Sequence, residues 1–369
     1  MTLRIAGAGW VTPLGRGVDE VWNQLVRGDE ASTQPISGEG DKIYSGFLVP
    51  TEALKNLPPH PRLRRVSAIS RFAVAAGLDA IAQAKPLTPK IDMERVALVF
   101  AASNGGVVYT KRFYHGIVAS GAQSASPLLF PETVFNAPAS HLAAILGING
   151  ASYTMVGDGA VGILAIQMAN DLLESKSIDF CLVVGAEEAD WILCDAYQKW
   201  RLIKAQPPIE TFCDPPRGTI LSEGAGALLL AREGRVKVDS IGDGENFSNQ
   251  RNAPEIVHRI LHDLRDENAC IVASANGTFI DLAERAAIQK EMPQSMVYSP
   301  KPALGESVGA SALWQVIIAA KALEEKRLPP MLHAHADTGL RFGTTEIGLG
   351  AIVLSCGLNQ QAAGLRLSI

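Results

Sequence analysis

Residues 152–173, SYTMVGDGAVGILAIQMANDLL, hold the one arrangement in this chain built like a catalytic turn. A run with strand character ends at Thr154-Met155-Val156 and enters the tight GDGAVG turn. Apolar residues then recur at helical spacing through Ile163, Ile166, Met168, Leu172 and Leu173. Strand, sharp turn and helix in that order form a nucleophile elbow, which presents one side chain where helix N-terminal amides favour developing negative charge. No Ser, Cys or Thr occupies the turn, and Gly159 stands where the nucleophile is expected.

The segments around the elbow give this absence a meaning. The opening IAGAGWVTPLGRGVDEVWNQLVRG, the approach SPLLFPETVFNAPASHLAAILGINGASYT, and the later LVVGAEE and ILSEGAGALLLARE run in an order that resembles the β-ketoacyl-acyl carrier protein synthase family of the thiolase fold. The resemblance spans nearly the whole chain. Such synthases carry a nucleophilic Cys in a T-A-C-A-[SG]-like turn, and aligning Tyr153-Thr154 places Gly159 there. Their H-G-T-x-T motif is matched by NGTFI, so Asn276 stands at the first catalytic histidine. Their K-x-x-x-G-H-x-x-G-A motif is matched by KPALGESVGA, which retains Lys301, Gly305 and Gly309 and puts Glu306 at the second histidine. The glycine-rich C-terminal loop of the family aligns with GLNQQA, where Leu358 replaces the gatekeeping Phe. By the same resemblance Asp158, Phe279 and Leu358 are the expected substrate-side residues.

These replacements remove the condensing chemistry. Decarboxylative condensation needs a thiolate to hold the acyl chain and two imidazoles to polarise a thioester carbonyl and stabilise an enolate. Glycine offers no nucleophile. Loss of one oxyanion-type donor costs roughly 10²–10³ in rate, and here nucleophile and imidazoles are lost together. Asn276 keeps a hydrogen-bond donor, whereas an ionised Glu306 repels an enolate unless burial keeps it protonated.

Each residue also has a structural reading. Gly159 suits strained backbone angles, Asp158 suits a turn, and Glu306 suits a helix start. Lys301 suits a pair with a buried carboxylate. His141 reads as a structural hydrogen-bonder and Cys213 as packing. His333 and His335 form a metal-like pair without an evident third ligand, so no metal site is expected. The glycine clusters around Gly105 and Gly305 match no phosphate or dinucleotide loop, so no cofactor is expected.

Composition bounds the remaining possibilities. The 369 residues are 47% hydrophobic and 19% charged, enough to bury a large core, and the net charge of -5 gives no global argument for nucleic-acid binding. Five cysteines without paired spacing read as reduced thiols in a cytoplasmic protein. No charged leader with an apolar core opens the sequence, and no run of about 18 apolar residues suggests a membrane span.

The element order predicts an α/β protein of two similar halves, residues 1–234 and 235–369, forming a layered αβαβα core. Strands are expected at LRIAGAGW, RVALVFAAS, SYTMV, FCLVVGA and GALLLARE, then at RVKVDSIGDG, CIVASA, SMVYS, GAIVLSC and AGLRLSI. Helices are expected near Phe72 to Ala84, Val161 to Lys176, Ala253 to Leu264 and Ser307 to Leu323. The strand ending at Met155 or Val156 is expected centrally, with the helix from Ala160 buried between layers. Lys301 and Glu306 are expected near Gly159 in space.

The resemblance implies a non-condensing homologue of the chain-length-factor kind: a subunit that dimerises with an active ketosynthase and shapes its acyl tunnel in polyketide, aryl polyene or specialised fatty-acid synthesis. Chain-length factors also lack the cysteine, although they usually place Gln there. Two other readings stay open. One is a non-covalent acyl-thioester enzyme using Glu306 or Asp158 as general base; the other is a homodimer that binds acyl groups or acyl carrier protein.

Overall fold

The computed structural model describes residues 2–344 and 347–369. Ten strands make the main path of the large sheet, in chain order β1 Leu3–Thr12, β2 Val96–Ala102, β3 Ser152–Val156, β4 Phe180–Glu187, β5 Gly224–Ala231, β6 Val236–Ile241, β7 Ala269–Val272, β8 Val297–Tyr298, β9 Gly350–Cys356 and β10 Gln361–Ser368. Their hydrogen-bonded order is β8-β7-β9-β10-β6-β1-β5-β4-β2-β3.

That order is one pattern used twice. Outward from the centre, β1-β5-β4-β2-β3 repeats as β6-β10-β9-β7-β8. In each half the first two pairings are antiparallel and the last two parallel. The halves join through a short antiparallel register of Leu3, Arg4 and Ile5 with Val238, Lys237 and Val236.

Helices fill five layers with these strands. Val308–Glu325 packs against strands of both halves and against helix Val161–Leu173, making the central layer. Its sequence explains the position, because every residue from Val308 to Ala320 is uncharged and buried. A helix apolar on all sides is stable only when surrounded. Ala68–Ala84 and Ala137–Leu146 cover the outer face of the first half, while Ala253–Leu264 and Phe279–Glu291 cover the second.

One expectation about placement is corrected. The β3 strand lies at the end of the sheet, not at its centre, and Ser152, Tyr153 and Val156 are exposed. Only β2 pairs with it, so its other edge has free backbone hydrogen-bonding groups. The helix that follows is buried between layers, as its apolar pattern demands. No helix among the described residues is long and apolar enough to cross a membrane.

Candidate active site

The elbow forms as the sequence directs. Strand β3 ends at Val156, the turn runs through Gly157 and Asp158, and the helix starts at Val161, whose N–H is bonded 2.9 Å from the Asp158 carbonyl. Gly159, however, leaves little room for a side chain. A Cβ there would stand 3.0 Å from Gly357 Cα, and the Gly159 carbonyl accepts a hydrogen bond from Ser355 Oγ at 3.0 Å. Its φ lies outside the positive region, so close approach of the 356–357 backbone, rather than strained angles, accounts for the glycine. The Thr-Ala-Cys spacing counted from Thr154 itself ends on Val156. Val156, however, is an exposed residue that ends the edge strand, whereas Gly159 lies in the turn itself.

Asn276, Lys301 and Glu306 come together in one buried cluster. Strand β7 leads into Asn276, and the one-turn helix Lys301–Leu304 places Lys301 just before Glu306. Lys301 Nζ donates to Glu306 Oε1 at 2.7 Å, Ser311 Oγ donates to the same oxygen at 3.0 Å, and Asn276 Nδ2 donates to Glu306 Oε2 at 2.8 Å. Burial pulls the Lys301 amine below its ordinary value while Glu306 opposes that pull. Both carboxylate oxygens of Glu306 are therefore occupied by donors, one of them an ammonium. The Asn276 Oδ1 is likewise taken, by the Thr278 hydroxyl at 2.7 Å. Three donors thus engage the Glu306 carboxyl, Oε1 twice and Oε2 once, which fixes its position in the cluster.

Asp158 is occupied as well. Its Oδ2 accepts the backbone N–H groups of Asn359 and Gln360 at 2.8 and 2.9 Å, with Gln361 N at 3.4 Å. Leu358, in the same turn, is buried in the apolar cluster of the second half. Asp158 and Leu358 thus meet across the elbow, whereas Phe279 lies at the start of its helix in edge-to-face contact with Phe247.

Between elbow and cluster sit Cys356 and Tyr197. Burial, reinforced by the charges of Glu284, Asp158 and Glu306, pushes the Cys356 thiol well above its ordinary value. Burial and the charges of Asp158, Glu187 and Glu306 push the Tyr197 phenol up. Asp158 of the elbow and Glu306 of the cluster act on both side chains.

Four further carboxyls line this region, and the sequence reading missed them. Burial raises Glu187 and Glu284 to about 8, and Glu188 and Asp281 to about 7. Glu187 accepts N–H groups from Ser103, Asn104 and Gly309, tying β4 to the start of the central helix. Asp281 accepts from Asn276 and Gly277 and so holds the NGT turn. The apolar run FCLVVGA just before Glu187 and Glu188 was their signal, whereas the helix after NGT carries charges along its length and gives none for Asp281 and Glu284.

The secondary candidates resolve into structure. His141 Nε2 lies 2.5 Å from Glu132 Oε1, and Cys213 is buried. His333 pairs with Glu30 while His335 accepts from Asp337 N, so the two histidines face different partners. Among the described residues no group of three His, Cys, Asp or Glu could hold a metal ion.

Comparison with known proteins agrees with this fold. The β-ketoacyl synthase N-terminal domain matches residues 2–235, and the β-ketoacyl synthase C-terminal domain matches residues 249–335. The chain belongs to the β-ketoacyl synthase family. It is similar to 3-oxoacyl-acyl-carrier-protein synthase 2 of Vibrio cholerae, 21% identical over 367 residues that cover 89% of this chain and 87% of that one. Its thiolase-like fold is shared with the ishigamide ketosynthase/chain length factor, at a TM-score of 0.85 and 21% identity over 100% of this chain and 98% of the other. A ketosynthase in complex with its chain length factor from Xenorhabdus doucetiae gives a TM-score of 0.85 at 19% identity, over 100% and 98%.

Proposed function

We propose that this chain is a non-condensing ketosynthase homologue that pairs with an active ketosynthase and shapes its acyl tunnel, as a chain-length factor does. With Gly159 at the nucleophile position, the condensing set reads Gly159, Asn276, Glu306. None of these can form an acyl-enzyme or donate an imidazolium proton. Glu306 and Asp158 are both spent on structural donors, which weighs against a general-base enzyme.

The observation that carries the reading is where this chain leaves apolar surface uncovered. Among the described residues, eight of the thirteen well-exposed large apolar side chains fall between Tyr114 and Val156. They share that region with the free edge of β3 and with helix Val107–Ser120, which buries none of its residues. Contiguous apolar surface beside an open strand edge marks an interaction face. The relatives described as ketosynthase and chain-length-factor pairs support the choice of a ketosynthase as occupant.

Coexpression with a cysteine-bearing ketosynthase from the same cell should yield a stable heterodimer. Enlarging the 122–135 segment with Ala125→Trp should shorten the partner's products without abolishing condensation. Products of unchanged length and rate in the complete absence of this chain would defeat the reading and leave a self-associating acyl-binding protein as the better account.

A further inference from the structure

We propose that Asp158 is a latch that keeps the 357–361 turn closed over the elbow, so that the surface cleft outside the turn ends blind. The cleft has a volume of about 670 Å³ and is bordered by Trp200, Leu202, Asn249 and Arg251. Leu358 and Asn359, residues of the turn itself, also line it. A path from the cleft to the buried interior must therefore move this turn.

Three sets of contacts hold the turn in place. The Asp158 carboxylate accepts its successive N–H groups, a charge-assisted arrangement that is stronger than neutral hydrogen bonding. Gly357 N donates to Gln361 O at 2.7 Å, closing the turn on itself. Fit completes the closure: a Cβ at Gly357 would lie 2.0 Å from Asp158 Oδ2, so only glycine lets the carboxylate sit against the backbone. Directly before the turn, Cys356 N donates to Ser274 Oγ at 2.9 Å, and the Cys356 thiol is enclosed.

The latch is a positioning role, since Asp158 acts through the turn and touches no reacting group. Its consequence is that a thioester arm reaching the cleft stops at Leu358, and the interior of this subunit receives no acyl chain by that route. The claim concerns this chain alone and is read by quantities that a missing partner leaves unchanged.

Native cysteines supply the test. In the full chain, Cys356 should resist a small thiol reagent under native conditions, as should the buried Cys181, Cys194, Cys213 and Cys270. In Asp158→Ala, Cys356 should react about tenfold faster or more, because the turn loses its charged acceptor, while the other four stay protected. Asp158→Asn retains one acceptor oxygen and should fall between. Unchanged protection of Cys356, or all five thiols rising together, overturns the latch. Amide exchange of the wild-type protein decides the matter should the variants not fold: Asn359 and Gln360 should exchange as slowly as strand Gly350–Cys356. Exchange at the rate of an exposed loop overturns the proposal.

Discussion

At the scale of single residues, Val156 and Gly159 are different kinds of absence. Val156 ends a strand and is 52% exposed, so a cysteine there replaces one small side chain by another. Gly159 faces Gly357 Cα across a gap that a Cβ would reduce to 3.0 Å. Val156→Cys should therefore fold with a urea midpoint near that of the wild type. Gly159→Cys should lose about 1–3 kcal/mol, the usual cost of overpacking. Acylation separates them too. The wild type should show no adduct with an acyl thioester by intact mass, and Gly159→Cys should acquire one at most slowly. No variant with cysteine alone should condense, since each missing donor costs roughly 10²–10³. An adduct on Val156→Cys with none on Gly159→Cys would move the nucleophile position to 156. Sequence spacing located the cluster of Asn276, Lys301 and Glu306 because short motifs keep their internal distances. The elbow was legible as strand, turn and helix, but a motif that has lost its cysteine offers only Thr154 and the glycines to count from, so the packing of Gly159 on Gly357 is visible in the structure alone.

At the scale of elements, burial decides both what was legible and what titrates. Strands Ser152–Val156 and Gly350–Cys356 and helix Ala253–Leu264 coincide with their apolar runs, because those runs need no partner information to be recognised. Helix Val107–Ser120 was not foreseen, and it buries no residue, so its sequence carries no one-sided apolar stripe. Strand order was equally hidden, since periodicity reports which face is buried but not which neighbour pairs, and β3 moved from the expected centre to the edge. The same burial lifts carboxyls at strand ends and on the helix after Asn276. Glu284 is fully enclosed, accepts only from Ser274, leaves Oε2 without a partner, and is pushed up to about 8. A carboxyl raised in the folded state holds a proton that the unfolded chain has released. Its contribution is thus complete below the unfolded value of about 4.3 and lost as pH rises toward the folded value. Urea midpoints should fall between about pH 6 and about pH 8.5, and Glu284→Gln, which cannot ionise, should flatten part of that fall. An equal slope in wild type and variant would remove Glu284 from the linkage.

At the scale of the molecule, a repeated half-fold has one end more than it can cover. The central strands β1 and β6 are joined to each other and the layers bury both faces, but β3 ends the sheet with exposed Tyr153 and Val156. On helix Val107–Ser120, which buries none of its residues, Val118 is 85% exposed. An isolated chain that shows this surface to water is expected to self-associate or to seek a partner, because apolar area returned to water costs roughly 25 cal/mol per Å². If the face is an obligate interface of the usual size, charge placed at its centre must be expelled with it. Val118→Asp combined with Tyr153→Lys should therefore abolish coelution with a coexpressed ketosynthase while leaving thermal unfolding of the separated chain cooperative, since neither side chain belongs to the core. Size-exclusion chromatography of the coexpressed pair reads the first outcome and calorimetry the second. Continued coelution of the doubly charged variant would place the interface elsewhere and leave the exposed end of the sheet without its proposed occupant.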